Sequence, residues 1–224
     1  MAPIKGFLFD LDGVIVDTAK FHFKAWQRLA AELGIHFDEK DNEKLKGVSR
    51  KESLEKILEW GNTSLDPERF AAMMAKKNDW YLDCVKEMSA DEALPGAKDF
   101  LKASLALQLR VGLGSASKNA ELILNLLNIR NSFECVIDGT KISRSKPDPQ
   151  VFSMGAEFLG IDPKSIVVFE DSQAGIEAAR LGGFRSVGIG DPNILGDAEI
   201  VISGLHQHSP SEIINKLNVS THAQ

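Results

Sequence analysis

The stretch that decides the fold is residues 6–17, which read GFLFDLDGVIVD. Residues 7–9 form a run that is apolar on both faces, which is typical of a central parallel strand rather than of a strand with one face in water. Side chains two positions apart in an extended chain point the same way, and a rise of about 3.3 Å per residue places Asp10 and Asp12 about 7 Å apart. The pattern therefore predicts a buried strand that delivers two carboxylates within reach of one small group.

Three other interpretations of this acidic turn stay open from the motif alone. In a calcium loop of the EF-hand type, glycine stands sixth and glutamate twelfth, whereas Gly13 is fourth from Asp10, so the pattern gives this interpretation little support. A D-x-D pair also resembles the metal-binding motif of many glycosyltransferases. Asp and Gly are, in addition, frequent in turns for reasons of local hydrogen bonding. The rest of the chain has to decide among them.

The composition is that of an ordinary globular protein, with 43% apolar and 26% charged residues in a chain of 224. Its 26 basic and 32 acidic residues leave a net charge of −6, which argues against a nucleic-acid binder or a protein of anionic membrane surfaces. Because Asp10 interrupts the first apolar run and no stretch reaches about 18 apolar residues, we expect neither a signal peptide nor a membrane span. Cys84 and Cys135 are far apart and are expected to be core thiols, which is typical of a cytoplasmic protein.

The long segment that follows the opening stretch shows helical spacing almost throughout and no convincing strand. Apolar stripes predict helices around 21–33, 54–58 and 70–88. From residue 94 onward the pattern changes, because apolar runs alternate with helix-length segments, as in repeated βαβ units on a parallel sheet. These strand-like runs are 109–113, 135–137, 166–169 and 186–189.

These patterns predict the α/β fold class, with a doubly wound, Rossmann-like parallel-sheet core and an all-helical cap domain inserted after the first strand. The predicted core comprises residues 1–17 and 92–224, and the predicted cap comprises 18–91. A cap inserted at that point would lie over the edge of the sheet that carries Asp10 and act as a lid. Residues 219–224 are predicted to be a frayed tail.

Polar side chains follow each of the predicted strands, and in a parallel sheet all these strand ends open on one edge. The second strand leads into residues 115–119, SASKN, whose backbone N–H groups suit an anion, although Ser117 would also serve as an ordinary helix N-cap. The third is followed by Lys146 beside a proline. Taken alone, this lysine would be interpreted as a solvated charge in a loop. The fourth ends at Glu170 and Asp171, just before a helix that Asp171 could simply cap.

The four acids at this edge would repel one another and raise each other's pKa values unless a cation lies between them. An all-oxygen site with few carboxylates suits Mg²⁺ better than zinc. The predicted metal ligands are Asp10, Asp12, Glu170 and Asp171. With Mg²⁺ and Lys146 present, the edge would attract a phosphoryl group even though the chain is acidic overall.

The order of these motifs resembles the haloacid dehalogenase superfamily of phosphoryl-transfer enzymes: DxDGV, a serine at the second strand end, a lysine before Pro-x-Pro, and then Glu-Asp. The likeness covers the whole core. It implies that Asp10 is a nucleophile that becomes an aspartyl phosphate. It also implies that Asp12 is the general acid and base, with its backbone carbonyl on the metal, and that Glu170 and Asp171 hold Mg²⁺. The phosphoryl oxygens would be bound by Ser115, Ala116 and Lys146.

Three features of the predicted cap point to the same edge. Lys77 lies on the apolar stripe of its helix, where a lysine is costly unless its head reaches an anion or snorkels to water. Residues 46–50, KGVSR, form a glycine loop with two cations before a helix, although an ordinary helix–helix turn has the same pattern. Asp17 is expected to be the hinge entry to the cap and to report its closure to Asp12.

Several segments narrow the likeness to the sugar-phosphate mutases of this superfamily; they are 17–18, 22–23, 46–50, 76–79, 115–119 and 170–175. The resemblance implies that β-glucose 1-phosphate and glucose 6-phosphate are interconverted through the 1,6-bisphosphate, which requires two phosphate subsites. Arg50, Ser117, Lys118 and Asn119 would form the distal subsite. His22, Lys46, Gly47, Val48, Ser53 and Lys77 would contact the sugar or position the closed cap.

Two rival functions remain at this point. A Mg²⁺-dependent sugar-phosphate phosphatase of the same superfamily would have an identical core and would differ only in letting water attack phospho-Asp10. A phosphorylation-dependent receiver, from a different class, is about half this length and has no helical insertion after its first strand. We expect an enzyme that acts on small sugar phosphates as a monomer, without nucleic-acid or membrane partners.

Overall fold

The computed structural model describes residues 2–220 and contains a six-stranded sheet surrounded by helices. The strands are β1 Gly6–Phe9, β2 Arg110–Gly114, β3 Cys135–Ile137, β4 Ile166–Glu170, β5 Arg185–Ile189 and β6 Ile200–Ile202. The helices before β2 are α1 Ala19–Glu32, α2 Glu39–Glu43, α3 Arg50–Trp60, α4 Pro67–Val85 and α5 Ala97–Ala106. Those after β2 are α6 Ala120–Leu126, α7 Gln150–Leu159, α8 Gln173–Leu181, α9 Pro192–Leu195 and α10 Pro210–Ser220. Within the described residues, no helix is long and apolar enough to cross a membrane.

The sheet is parallel throughout and has the strand order β3-β2-β1-β4-β5-β6. The predicted doubly wound α/β class is confirmed. The strand order reverses beside β1, which pairs with β2 on one side and with β4 on the other, so a crevice opens at their carboxyl ends. Phe9 lies opposite Leu113 and Phe169 in the register, and the residues that follow these three therefore emerge at one level.

Strand β1 is buried on both faces, as its sequence predicts. Phe9 stacks on Phe169 with ring centroids 4.6 Å apart, and Phe7 stacks on Phe100 at 6.0 Å. Leu8 points to the opposite face, where it packs in a second apolar cluster with Phe152 and its neighbours. Because both faces of β1 are covered by apolar side chains, its position in the sheet is set by the core rather than by the turn that follows.

Helices α1 to α4 pack around an apolar core of their own, which includes Trp26, Leu29, Leu54 and Ile57. The described chain contains no strand between α1 and α4, in agreement with the helical spacing. The two connections to the sheet run side by side, because Val16 bridges to Ala93 and Leu94 N donates a hydrogen bond to Ile15 O at 2.9 Å. This arrangement fits the proposed division into a cap over 18–91 and a core.

The predicted strands agree with the structure to within one residue at each end. Strand β3 has the predicted bounds, β1 begins one residue before the apolar run 7–9, and β4 extends by one residue to include Glu170. Strand β6 was missed because it is short, half-buried and at the edge of the sheet. The short helix α2 was also missed. The frayed tail is wrong at Val219, which belongs to α10, and residues 221–224 lie outside the described residues.

Candidate active site

Three strand ends converge on one lysine. Lys146 Nζ contacts Asp10 Oδ1 after β1 and Glu170 Oε1 at the end of β4, and it donates a hydrogen bond to Gly114 O of β2 at 3.2 Å. The side chain of Lys146 is fully buried, and Asp10 is 5% exposed. The alternative interpretation of Lys146 as a solvated charge in a loop is therefore wrong. Lys146 is the cation of a buried acidic cluster.

Burial and mutual repulsion govern the protonation of these groups. Burial raises the pKa of Asp10, although the ammonium group of Lys146 opposes the shift. Burial, followed by the charge of Asp10, raises the pKa of Asp12 to about 8. Burial opposes the charge on Lys146, but the two neighbouring carboxylates outweigh it and raise its pKa. Asp12 is therefore suited to hold a proton at neutral pH, while Lys146 stays charged.

Both carboxylate oxygens of Glu170 are already in use. One contacts Lys146, and the other accepts hydrogen bonds from Ser172 N at 2.9 Å and from Ser172 Oγ at 2.8 Å. Gly175 passes so close that an added Cβ would lie 1.9 Å from this carboxyl group. In this structure Glu170 thus holds Lys146 in place, and Asp171, which directly follows β4, faces the cleft.

The acids that face the cleft have the donor chemistry of a Mg²⁺ site. Burial and the charges of Glu170 and Asp10 raise the pKa of Asp171 well above its ordinary value, a repulsion that a divalent cation would relieve. Gly13 has a φ of +77°, and an added Cβ would lie 2.0 Å from Asp171 Oδ2, so only glycine leaves this carboxylate room. Within residues 2–220, no three His, Cys, Asp or Glu side chains form a ready metal cluster. Three of the four predicted ligands, Asp10, Asp12 and Asp171, line the cleft, while the carboxylate oxygens of Glu170 bond to Lys146 and Ser172. Carboxylate oxygens of this kind are the donors that Mg²⁺ prefers.

Asp12 is held by the first residue of the predicted cap. Thr18 Oγ1 donates a hydrogen bond to Asp12 Oδ1, and Thr18 is fully buried. Asp17 is exposed, and its Oδ1 instead accepts a hydrogen bond from Ala19 N at 3.1 Å, at the start of α1. Thr18 rather than Asp17 therefore makes the contact with Asp12. After burial and the charge of Asp10, the charge of Asp17 still raises the pKa of Asp12, so a role of Asp17 in reporting cap closure stays a prediction.

A single cleft between the sheet edge and helices α1 to α4 collects nearly all the predicted site residues. Those that line it are Asp10, Asp12, His22, Lys46, Gly47, Val48, Arg50, Ser53, Lys77, Ser115, Ala116, Ser117, Lys118, Asn119 and Asp171. Lys146 and Glu170 lie directly behind Asp10, outside the lining. Core and cap residues far apart in the sequence are thus brought to one space, as the convergence of strand ends predicts.

The cap side of the cleft contains a buried amine. Lys77 is 1% exposed, and its Nζ lies 2.7 Å from His22 Nδ1 and 4.4 Å from the centroid of the Trp26 ring. Snorkelling to solvent is therefore excluded. Burial, and then the charge of Arg50, lower the pKa of Lys77 well below its ordinary value. Burial, and then the charge of Lys77, also lower the pKa of His22, so both groups present polar nitrogens to the cleft whose charged forms are disfavoured.

The residues predicted for a distal phosphate lie across the cleft from each other. Arg50 comes from α3 of the cap, and the loop 115–119 comes from the core. Ser117 does not cap α6, because its Oγ accepts a hydrogen bond from Asn119 N at 3.2 Å, before the helix begins. The loop is therefore a preformed hydroxyl-rich turn with its side chains facing the cleft.

Sequence reasoning missed several residues of this site. Gly13, Ala19, Trp26, Asn42, Leu45 and Tyr81 also line the cleft, and Thr18 and Asn78 contact residues that do. Tyr81 follows Lys77 by four positions and so lies on the same helix face, a spacing that could have identified it. Its hydroxyl is buried and makes no hydrogen bond within 3.5 Å among the described residues, although the Thr18 and Ser117 side chains lie near enough to lower the pKa of the phenol. Such an orphaned group facing a cleft is suited to a polar ligand.

Comparison with known proteins identifies the family to which this fold and this site belong. A model of the haloacid dehalogenase-like hydrolase family matches residues 4–183, and the chain belongs to this family. The superfamily inferred from the motifs is confirmed.

Particular relatives narrow the comparison. A β-phosphoglucomutase of Bacillus subtilis is 37% identical over 201 residues, which are 89% of either protein. A fructose-1-phosphate phosphatase of Escherichia coli is 33% identical over 187 residues, 82% of this chain and 95% of the relative. The crystal structure of β-phosphoglucomutase from Clostridium difficile shares the fold with a TM-score of 0.94 and 40% identity, covering 97% of this chain and 99% of that one.

Proposed function

We propose that this protein interconverts β-D-glucose 1-phosphate and D-glucose 6-phosphate through an aspartyl-phosphate enzyme and β-glucose 1,6-bisphosphate. The observation that carries the proposal is the second anion site: Arg50 of the cap and the loop 115–119 of the core line the cleft that also contains Asp10. A mutase has to bind a substrate with a phosphate at each end. The similarity to two β-phosphoglucomutases over nearly the whole chain supports the same activity.

In the proposed reaction, a carboxylate oxygen of Asp10 attacks phosphorus and the bond between phosphorus and the sugar oxygen breaks. Asp12 gives its proton to the departing oxygen, and it takes a proton from the accepting hydroxyl in the reverse step. Lys146 neutralises charge on the phosphoryl oxygens, and Glu170 holds Lys146 in place. Bound Mg²⁺, held by Asp10, the Asp12 carbonyl, Glu170 and Asp171, would supply further charge stabilisation and orientation of the phosphoryl group.

The order of transfers follows from there being one nucleophile and two subsites. Phospho-Asp10 donates its phosphoryl group to the free hydroxyl of β-glucose 1-phosphate, which produces the bisphosphate. The bisphosphate then reverses its orientation, and Asp10 removes the other phosphoryl group to leave glucose 6-phosphate. Each orientation places one phosphate near Asp10 and the other near Arg50 and the 115–119 loop. Water has to be excluded throughout, which assigns the cap the role of a lid.

The sugar itself would lie between these two ends. His22 and Lys77 present nitrogens to the cleft, and Trp26 offers an apolar face beside them. Gly47, Val48 and Ser53 line the same wall, so sugar hydroxyls would meet both backbone and side-chain groups. The proposed form is a monomer in the cytoplasm, a compartment that suits the two free thiols of Cys84 and Cys135.

The decisive experiment is incubation with β-glucose 1-phosphate, Mg²⁺ and a trace of the bisphosphate, followed by separate assays of glucose 6-phosphate and inorganic phosphate. We expect glucose 6-phosphate to accumulate with little release of phosphate, and α-glucose 1-phosphate to serve as the matched poor substrate. Steady release of phosphate without isomerisation would show the second candidate, a sugar-phosphate phosphatase. The similarity to a fructose-1-phosphate phosphatase makes that the outcome to exclude first.

The second phosphate subsite can be tested directly with Arg50→Lys. Arginine binds a phosphate with two parallel N–H bonds, which lysine cannot reproduce. We expect turnover of β-glucose 1-phosphate to fall by more than the phosphorylation of Asp10 by a small donor such as acetyl phosphate. Lys51→Arg provides a matched control on the exposed face of the same helix. Equal losses in turnover of β-glucose 1-phosphate and in phosphorylation of Asp10 would show that Arg50 does not bind the distal phosphate.

A further inference from the structure

One amide oxygen joins the two halves of the cleft. Asn78 lies on α4 of the cap, and its Oδ1 accepts hydrogen bonds from Arg50 Nη2 at 2.6 Å and from Asn119 Nδ2 at 3.1 Å. Arg50 begins α3, whereas Asn119 belongs to the core and precedes α6. A single atom of Asn78 thus fixes one donor from the cap and one from the core.

The chemistry of the three side chains determines which atoms meet. Arginine has only N–H donors, so the Asn78 atom that faces Arg50 has to be the amide oxygen. Asn119 approaches the same oxygen and therefore presents its NH₂ group. This assignment leaves the other four N–H groups of the Arg50 guanidinium, and one N–H of Asn119, for a further acceptor. An anion in the cleft would find donors from both sides of the boundary already aligned.

Asn78 has an uncharged side chain, and this determines how much of the Arg50 charge remains for a ligand. No carboxylate among residues 2–220 forms an ion pair with Arg50, whereas the part-buried Arg110 and Arg130 are each paired with a glutamate. Burial lowers the pKa of Arg50, and the side chain keeps a charge that its hydrogen-bond partner does not cancel. An Asp at position 78 would have the same shape and the same two hydrogen bonds, but it would neutralise that charge.

We propose that Asn78 is the positioning residue of the distal phosphate subsite: its amide oxygen aligns Arg50 with Asn119 across the cap–core boundary and leaves the Arg50 charge for the phosphate. The inference rests on the proposed mutase function for the identity of the ligand. Its physical content is independent of the reaction, because it concerns only how the cleft binds a phosphate group far from Asp10.

The test compares Asn78→Asp with Asn78→Ala, each checked for folding by circular dichroism. A residue that only supports the structure should tolerate Asp better than Ala, since Asp keeps both hydrogen bonds. We expect the opposite order for phosphate binding. Asn78→Asp should weaken the binding of inorganic phosphate and raise KM for β-glucose 1-phosphate by about tenfold to a hundredfold, the size of a lost charged hydrogen bond. Asn78→Ala should have a smaller effect, and in both variants KM should change by more than kcat.

Two controls separate this role from others. Asn125→Asp adds the same charge on the exposed face of α6 and should leave phosphate binding near that of the wild type. In an Arg50→Ala background, Asn78→Asp should lose most of its effect, because its target charge is gone. The proposal is overturned if Ala is at least as harmful as Asp, or if the effect of Asp persists without Arg50. Since inorganic phosphate is measured directly, a protein that proved to be a phosphatase would contradict the proposed function and still test the role of Asn78.

Discussion

Lys46 Nζ lies 3.4 Å from Asp171 Oδ2, and this ion pair ties the cap to the carboxylate that the proposal assigns to Mg²⁺. Lys46 also lies 3.0 Å from Glu43 Oε2 within the cap, so it has a second acidic partner at hand. The lysine side chain is 31% exposed and Asp171 is 10% exposed, which makes the pair a partly screened one. A metal ion held by Asp171 would compete with the Lys46 ammonium for this carboxylate, and cap contact and metal binding would then be coupled.

The coupling predicts the effect of Lys46→Met on metal affinity. Removing the ammonium leaves Asp171 without its lysine partner, while Lys146 still contacts Asp10 and Glu170. Mg²⁺ should therefore bind about two- to fivefold more tightly without sugar phosphate, as expected for a partly exposed pair. Isothermal titration calorimetry measures this directly. Lys51→Met, on the exposed face of α3, is the control, and unchanged or weaker binding in Lys46→Met would contradict the competition.

Asp10→Asn should abolish the reaction, since an amide does not attack phosphorus and no aspartyl phosphate can form. We expect turnover of β-glucose 1-phosphate to fall by about 10⁴-fold or more, the scale seen when a nucleophile is removed. A mass measurement after incubation with acetyl phosphate should also show no phosphorylated protein. Asp17→Asn is the matched control in the same stretch, because Asp17 is exposed and bonds only to the start of α1. Normal turnover of Asp10→Asn would refute the covalent scheme.

Lys77 should reduce the stability of the protein in a pH-dependent way. Its folded pKa lies well below the ordinary value of 10.5, so between the two values the unfolded chain binds more protons than the folded one. The free energy of unfolding therefore rises with pH in this range. Lys77→Met removes the penalty and should increase the free energy of unfolding at neutral pH by about 1–4 kcal/mol.

Urea unfolding at several pH values measures this effect. The gain from Lys77→Met should shrink as the pH approaches 10.5, where the unfolded lysine also loses its proton. Lys76→Met is the neighbouring control: Lys76 is partly exposed and paired with Glu32 at 2.6 Å, so it should show no such gain. A Lys77→Met variant that is less stable than the wild type at neutral pH would show that the ammonium is well solvated or paired in the cleft.

Tyr81 is the only tyrosine of the chain, so its ionisation can be followed without ambiguity. Burial, and then the negative charge of Asp12, raise the pKa of its phenol far above the ordinary value of 10.0. Above pH 10.0 the unfolded chain therefore loses a proton that the folded chain keeps, and stability falls as the pH rises. In an ultraviolet titration, phenolate should appear only as the protein unfolds. Phenolate formation near 10.0 in the folded protein would contradict the buried position.

The unpartnered hydroxyl of Tyr81 also predicts a stability change. Removing a buried hydroxyl that makes no hydrogen bond relieves its desolvation penalty, so Tyr81→Phe should raise the free energy of unfolding by about 1 kcal/mol. If the hydroxyl contacts substrate, the same variant should raise KM for β-glucose 1-phosphate. Urea unfolding and steady-state kinetics measure the two effects separately. A loss of stability would indicate a hydrogen bond to Tyr81 in solution.

The opening stretch shows why the sequence predicted so much of this site. Strand β1 is apolar on both faces, a pattern that only a central strand satisfies, and the carboxyl ends of parallel strands necessarily share one edge of the sheet. Asp10, Lys146 and Asp171 could therefore be assigned to one place although they are far apart in the chain. Strand β6 escaped prediction because a short, half-buried edge strand has no such pattern.

The sequence by itself determined the class of fold, the edge that carries the chemistry and the residue types gathered there, because these follow from local periodicity and chain order. Only the tertiary structure decided which of these side chains contact one another. It placed Glu170 behind Lys146, made Thr18 rather than Asp17 the partner of Asp12, and buried Lys77. It also revealed the bridge from Asn78 to Arg50 and Asn119. These contacts depend on how the cap packs over the core, a non-local arrangement that leaves no periodic signal in the sequence.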